Sequence, residues 1–277
     1  MNVQGAINAG LFVEFVYSNW SAANPRQNLN GMTVVNDQGT DVIPGAKYTV
    51  LKTIYANDLA TDISAFCADY ITIGIVAAMD DLSSIYIAIR GTDNIWEWVQ
   101  DFKFLPRTFP RVDGAGLTDD GFTDMYLSFS FAPAASAAFI ADLEALMPAK
   151  ATVTIVGHSL GSSLATLLAL DMSANTRIPV ALYTLASPRV GDLSFEKLFN
   201  QIVPNAYRVA NRLDIVPKTP PPLLYVHVGD ETDLIPGPEV KFDLACEHAT
   251  TTYFNMLAKL IDPSQTLYPI RPACLRA

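Results

Sequence analysis

The sequence predicts a single α/β domain, a mostly parallel sheet with helices on both faces. Three observations carry that prediction. From Ala151 onward strand-like and helix-like segments alternate: Ala151 to Val156, an apolar helix from Leu164 to Met172, Val180 to Leu185, a helix from Asp192 to Ile202, and Ala206 to Asn211. Strand-helix-strand order is what a parallel sheet covered on both faces requires. Half of the 277 residues are hydrophobic, enough to fill a large core in one domain spanning 1–277. Finally, Gly157-His158-Ser159-Leu160-Gly161 lies between a β-branched run and an apolar helix, the context of a nucleophile elbow.

The remaining elements follow in chain order. Ala6 to Trp20 is apolar, but no Lys or Arg precedes Arg26 and Glu14 interrupts the run. A secretory leader wants a basic start and an unbroken apolar centre, so the expectation is an amphipathic helix packed on the domain. An Asn/Gly/Pro-rich loop (Asn24 to Pro44) leads to three β-like runs, Lys47 to Tyr55, Ile71 to Met79 and Ser84 to Arg90, with Asp80-Asp81 turning between the last two. A Trp-rich segment and a Pro/Gly loop (Pro106 to Gly121) precede a helical stretch from Phe122 to Met147, which Pro133 should kink or divide. After Asn211 come a strand-like run (Leu223 to Val228), an irregular Pro/Gly segment and a helix from about Thr250 to Ile261, whose apolar residues recur at helical spacing.

Composition removes several classes of function. A net charge of −10 with no local Lys/Arg cluster gives no field to hold nucleic acid. No stretch reaches the roughly 20 apolar residues of a membrane span. Cys67, Cys246 and Cys274 cannot all pair and match no zinc spacing, so buried or idle thiols are expected. A Cys246–His248 dyad is the other reading, and the serine of the elbow outranks it. No motif points to a metal, a nucleotide or a flavin, so no cofactor is expected, and the sequence leaves oligomeric state and compartment undecided.

The elbow dictates the rest of the chemistry. Glycines two positions either side of Ser159 let the backbone bend sharply, pushing the hydroxyl out of the sheet and aiming the following N–H groups at whatever it attacks. A serine hydroxyl needs a base, and there are only three histidines. His158, inside the elbow, should point away and pack beneath the turn. His227 lies in a strand-like run, where a hydrogen-bonded packing role is expected. His248, just before the last helix, is the preferred base, with His227 the alternative. Of the acids between serine and histidine, Asp214 follows a strand and fits best as the carboxylate that orients the base. Its other reading is a turn anchor or a partner of Arg212. Asp192 reads as a helix cap, Asp230 and Asp233 as loop residues, and Asp243 as too near His248. An oxyanion would find one donor in the Leu160 backbone N–H and a second at Thr92, in the turn that ends the Ser84 to Arg90 strand.

Taken in order, Ala88-Ile89-Arg90-Gly91-Thr92, Trp98-Val99-Gln100-Asp101-Phe102, Gly121-Phe122, Gly157-His158-Ser159-Leu160-Gly161, Ala186-Ser187-Pro188-Arg189-Val190-Gly191 and Asp214-Ile215-Val216-Pro217 resemble the motifs of the class 3 (fungal-type) triacylglycerol lipases. The resemblance spans residues 50 to 250. It implies an α/β-hydrolase fold, cofactor-free hydrolysis of carboxylic esters such as acylglycerols, Ser159, Asp214 and His248 as triad, and Thr92 and Leu160 at the oxyanion hole. It also implies a short helical lid at about 93–105. There a helix would place Ile95, Trp98, Val99 and Phe102 on one face, with Trp96 off that stripe at a lipid–water interface. A permanently packed surface helix is the other reading of that segment. Asp120 replaces the histidine usual before Gly121-Phe122, and the His248-to-Tyr253 spacing is longer than the family's. Secreted fungal members carry a leader and several disulfides, and neither is expected here, which suits a bacterial or otherwise non-fungal member. Esterases for soluble esters, feruloyl-type included, share these motifs, and an inactive lipase-like binding protein is the remote alternative.

Overall fold

The computed structural model describes residues 1–57, 70–92, 104–264 and 268–276. The β-branched run that feeds the elbow forms β6 (Thr152–His158), and the other apolar runs assemble around it. On one side β1 (Thr49–Asn57), β2 (Tyr70–Ala78) and β3 (Ser84–Ile89) pair antiparallel with one another. On the other, β7 (Val180–Leu185), β8 (Ala206–Asn211) and β9 (Asp230–Leu234) add in parallel. The described residues thus form a seven-stranded sheet in the order β1-β2-β3-β6-β7-β8-β9, with β3 and β6 also parallel. A short hairpin of β4 (Pro106–Thr108) and β5 (Leu117–Asp119) stands apart from it.

Successive strand residues point to opposite faces, and β6 shows the outcome: Val153 and Ile155 enter one core, Val156 the other. The first core is closed by α2 (Asp120–Leu127), α3 (Phe139–Ala145), α4 (Leu160–Asn175) and α5 (Leu193–Ile202), with Phe122, Phe139, Leu164, Leu168 and Phe195 buried. The second lies under α1 (Val3–Ser18) and α7 (Thr250–Ile261), where Phe12, Val16, Phe254 and Leu257 are buried. Phe12 stacks on Tyr86 of β3 with ring centroids 4.1 Å apart. Each such side chain taken fully out of water stabilises the fold by about 1.5–3 kcal/mol. Helix starts follow the sequence: Asn2 caps α1 by accepting from the Gly5 N–H, and Asp192 caps α5 by accepting from the Phe195 N–H.

The Phe122 to Met147 stretch is divided, as expected, into two helices: residues 128–138, including Pro133, are not helical. Other expectations change. Leu223 to Val228 is no strand: Leu223 is 88% exposed, and only Val226 bridges, to Gly191. The strand falls instead on Asp230–Leu234, which the sequence placed in a loop. An edge strand with one neighbour tolerates acids, and here Arg208 and Arg212 neutralise Glu231 and Asp233. The thiols are not all idle, since Cys246 and Cys274 form a disulfide. It pins the C-terminal tail to α6 (Leu244–His248), a short helix where a loop was expected, and encloses a small cluster with Val240 and Ile270. Cys67 and the lid residues Ile95, Trp96, Trp98, Val99 and Phe102 lie outside the described residues.

Candidate active site

β6 runs straight into the turn that carries Ser159, and α4 begins at the next residue. The bend is tight enough to put Ser159 at φ 57°, a region that residues bearing a Cβ enter only at a cost of about 1–3 kcal/mol. The surrounding structure holds it there: the Ser159 N–H donates to Leu185 O at 2.9 Å. Both flanking glycines are required by close approach. A Cβ on Gly157 would lie 2.2 Å from Gly161 O, and one on Gly161 would lie 2.4 Å from the carbonyl oxygens of Ile89 and Arg90. Leu160 opens α4, a position whose N–H has no acceptor within the helix.

Asp214 and His248, 34 residues apart, are brought together. His248 Nδ1 lies 2.7 Å from Asp214 Oδ2, and both side chains are buried. Asp214 stands in the turn after β8, with the Val216 N–H donating to its Oδ1 at 2.9 Å. Burial pushes this carboxyl upward, but neighbouring His248 and the donors around it prevail, leaving it below its ordinary value. Arg212 pairs with Asp233, so Asp214 is not its partner. Asp243 caps α6 through the Ala245 and Cys246 N–H groups. Asp120, at the position where the family resemblance leads one to expect histidine, opens α2 and binds Arg107 at 3.0 Å.

His158 packs beneath the turn, as expected, and its ring centroid lies 4.6 Å from that of His248. Its Nε2 donates to His248 O at 2.9 Å, and its Nδ1 meets the hydroxyl of Tyr17. Burial first, and then the adjacent His248, push its pKa down to about 3, so it is a neutral ring. His227 takes the packing role foreseen for it, 2.8 Å from Pro217 O and likewise held down to about 3 by burial. Ser159 Oγ is buried and makes no hydrogen bond among the described residues, so a contact from imidazole to hydroxyl is not closed at rest. Such contacts are often loose before substrate arrives. A cavity of about 370 Å³ opens beside His248, with Thr92, Tyr17, Glu14 and Arg271 on its walls.

Three participants were not assigned from sequence. Tyr253 donates its hydroxyl to Asp214 Oδ2 at 2.8 Å. Asn211 Nδ2 donates to Glu247 O at 2.8 Å, tying the end of β8 to the histidine helix. Tyr17, on α1, reaches the site from the far end of the chain. Helical periodicity accounts for Tyr253 as a core residue, and nothing local to Asn211 or Tyr17 signals a role. Among the described residues no group of three or more His, Cys, Asp or Glu side chains is placed to hold a metal ion. Nor is any described helix long and apolar enough to cross a membrane.

Comparison with known proteins adds a family context. A model of the family described as lipase (class 3) matches residues 86–224. A lipase of Rhizomucor miehei is 32% identical over 218 residues, covering 74% of this chain and 58% of that protein. Phospholipase A1-IIgamma of Arabidopsis thaliana is 30% identical over 260 residues, covering 78% and 62%. The chain therefore spans about three fifths of the length of these relatives. Among solved structures, Rhizomucor miehei lipase in complex with its propeptide aligns at a TM-score of 0.60 and 25% identity, over 83% of this chain and 67% of that one.

Proposed function

The chain belongs to the class 3 lipase family, with its α/β-hydrolase fold, and from that premise we propose that it is a serine carboxylic ester hydrolase, a lipase acting on acylglycerols as one domain over 1–277. The observation that carries this reading is the buried His248–Asp214 pair set against the elbow of Ser159. In the proposed reaction Ser159 Oγ attacks the ester carbonyl while His248 Nε2 takes its proton. Asp214 keeps the other ring nitrogen protonated and stabilises the imidazolium. The Leu160 and Thr92 N–H groups receive the oxyanion, each donor being worth about 3–4 kcal/mol in the transition state. His248 then protonates the departing alcohol and activates the water that releases the acyl group.

The test is labelling by an organophosphonate together with hydrolysis of p-nitrophenyl esters. Wild type should lose activity as one equivalent is bound, and Ser159→Ala should neither label nor turn over. Full activity in Ser159→Ala refutes the mechanism, and wild type that neither labels nor hydrolyses any ester belongs with the inactive binding proteins. Rates on short soluble esters, emulsified triacylglycerol and phospholipid vesicles then fix the substrate, because relatives named lipase and phospholipase A1 both match. A gain on emulsion supports a moving lid at 93–105. Its absence, with fast turnover of soluble esters, favours the esterase reading.

A further inference from the structure

An oxyanion donor works only if it is already aimed when charge develops, yet Thr92 lies beyond the end of β3, far in sequence from His248. We infer that Tyr17 is a positioning residue for the proposed hydrolysis, locking the Gly91–Thr92 turn to the helix of the general base through the ring of His158. This rests on the ester-hydrolase reading.

The Gly91 N–H donates to Tyr17 Oη at 2.8 Å. Tyr17 Oη lies 3.0 Å from His158 Nδ1, and His158 Nε2 lies 2.9 Å from His248 O. A carbonyl oxygen only accepts, so Nε2 must carry the ring's hydrogen. A neutral ring holds one hydrogen, so Nδ1 is bare, and the phenol must be the donor to it. Tyr17 Oη therefore gives one hydrogen bond and receives another, and the proton order along Gly91, Tyr17, His158 and His248 is unique. A phenylalanine can do neither, and a serine on α1 is too short to span the gap.

The other side of Gly91 is held as well. Arg90 Nη1 donates to Gly91 O at 2.6 Å while its Nε donates to Thr72 O at 2.9 Å. In a trans peptide the carbonyl and the following N–H point in opposite directions. Anchoring Gly91 at both its N–H and its C=O thus fixes where the Thr92 N–H aims. The turn is also pressed against the nucleophile, since a Cβ on Gly91 would lie 2.8 Å from Ser159 Cβ and 2.8 Å from Tyr17 Oη. A small rotation at Gly91 has no slack to absorb it and must move Thr92.

Tyr17→Phe removes the hydroxyl and keeps the ring. Because a lost oxyanion donor costs about 10²–10³ in kcat and a misaimed one less, the expected fall in kcat is about 10- to 100-fold, with KM for a short soluble ester within about 3-fold of wild type. A boronic acid that forms a tetrahedral anion on Ser159 should weaken by the same factor as kcat, whereas an uncharged ether analogue of the ester should bind unchanged. A merely structural tyrosine would lower the folded fraction and leave the ratio of the two affinities alone. Nitrogen-15 NMR of His158 in the wild-type protein reads the network without any activity, and the bare-Nδ1, protonated-Nε2 tautomer is expected. Wild-type kcat in Tyr17→Phe, an unchanged boronate-to-ether ratio, or the opposite tautomer each overturns the proposal. Absence of ester hydrolysis by wild type itself removes the reaction, and is recognised as such because the tautomer is measured separately.

Discussion

Asp214 accepts on both oxygens: His248 Nδ1 and the Tyr253 hydroxyl share Oδ2, and the Val216 N–H takes Oδ1. Hydrogen bonds to a charged group are worth about 1.5–3 kcal/mol, so Tyr253→Phe is expected to destabilise the protein by that amount, read by urea denaturation at pH 7. Asp214→Asn should keep the fold and lower kcat by about 10⁴, since an amide favours the wrong imidazole tautomer. Asp119 is the converse case. It is fully buried at the start of α2, accepts from the Phe122 N–H, leaves Oδ2 without a partner among the described residues, and is raised by burial to about 7. Asparagine caps helices equally well and cannot ionise. Asp119→Asn should therefore gain about 3–4 kcal/mol relative to wild type between pH 4 and pH 8, measured by denaturation across that range.

Among the elements, those whose signal is contained within a few residues were legible. The β6–elbow–α4 unit, Asp192 as a cap and the span Thr250–Ile261 all follow from short-range pattern. β9 was not, because only Leu234 of its five residues is buried and the pairing that makes it a strand comes wholly from β8. Leu223 to Val228 misled for the opposite reason, an apolar composition in which Val226 alone finds a bridge, to Gly191. At the site, Asp214 and His248 could be chosen from chain order, whereas Tyr17 lies 141 residues from His158 and had no pattern to betray it. The disulfide was illegible from spacing alone, yet it holds the helix that ends in His248. With its cysteines 28 positions apart in sequence, loop-closure entropy makes it worth about 3.5 kcal/mol. Cys274→Ser should lose about that much in urea denaturation, with kcat falling as α6 loosens. Unchanged stability in that variant would show that the tail contributes nothing to the helix.

For the molecule as a whole, acid stability is a contest among buried groups. His158 and His227 stay neutral in the fold down to about 3, while an unfolded chain takes up histidine protons near pH 6.5. Below that point each favours unfolding by about 1.4 kcal/mol per pH unit. Asp119 opposes them, because the native state binds its proton first, down to about pH 4, and Glu247, lifted by burial, opposes over a shorter span. Asp214 stabilises above its unfolded pKa, and that contribution is lost as pH falls further. Stability should thus decline by no more than about 1.4 kcal/mol per unit from pH 6.5 to 4 and more steeply below. Denaturation midpoints at pH 7, 5 and 3.5 check this, and a uniform slope would contradict it.

The acidic strand at the rim of the sheet has a consequence for colloidal behaviour. Among the described residues β9 pairs with a strand on one side only, and Asp230, Glu231 and Asp233 border its other side. The net charge of −10 keeps two such rims apart and denies a second molecule the chance to continue the ladder. Near the pI of about 4.6 the net repulsion between molecules vanishes. Mildly acidic storage should then favour strand-to-strand clumping well before the native fold is lost, and lysines in place of the rim acids should move that hazard to another pH.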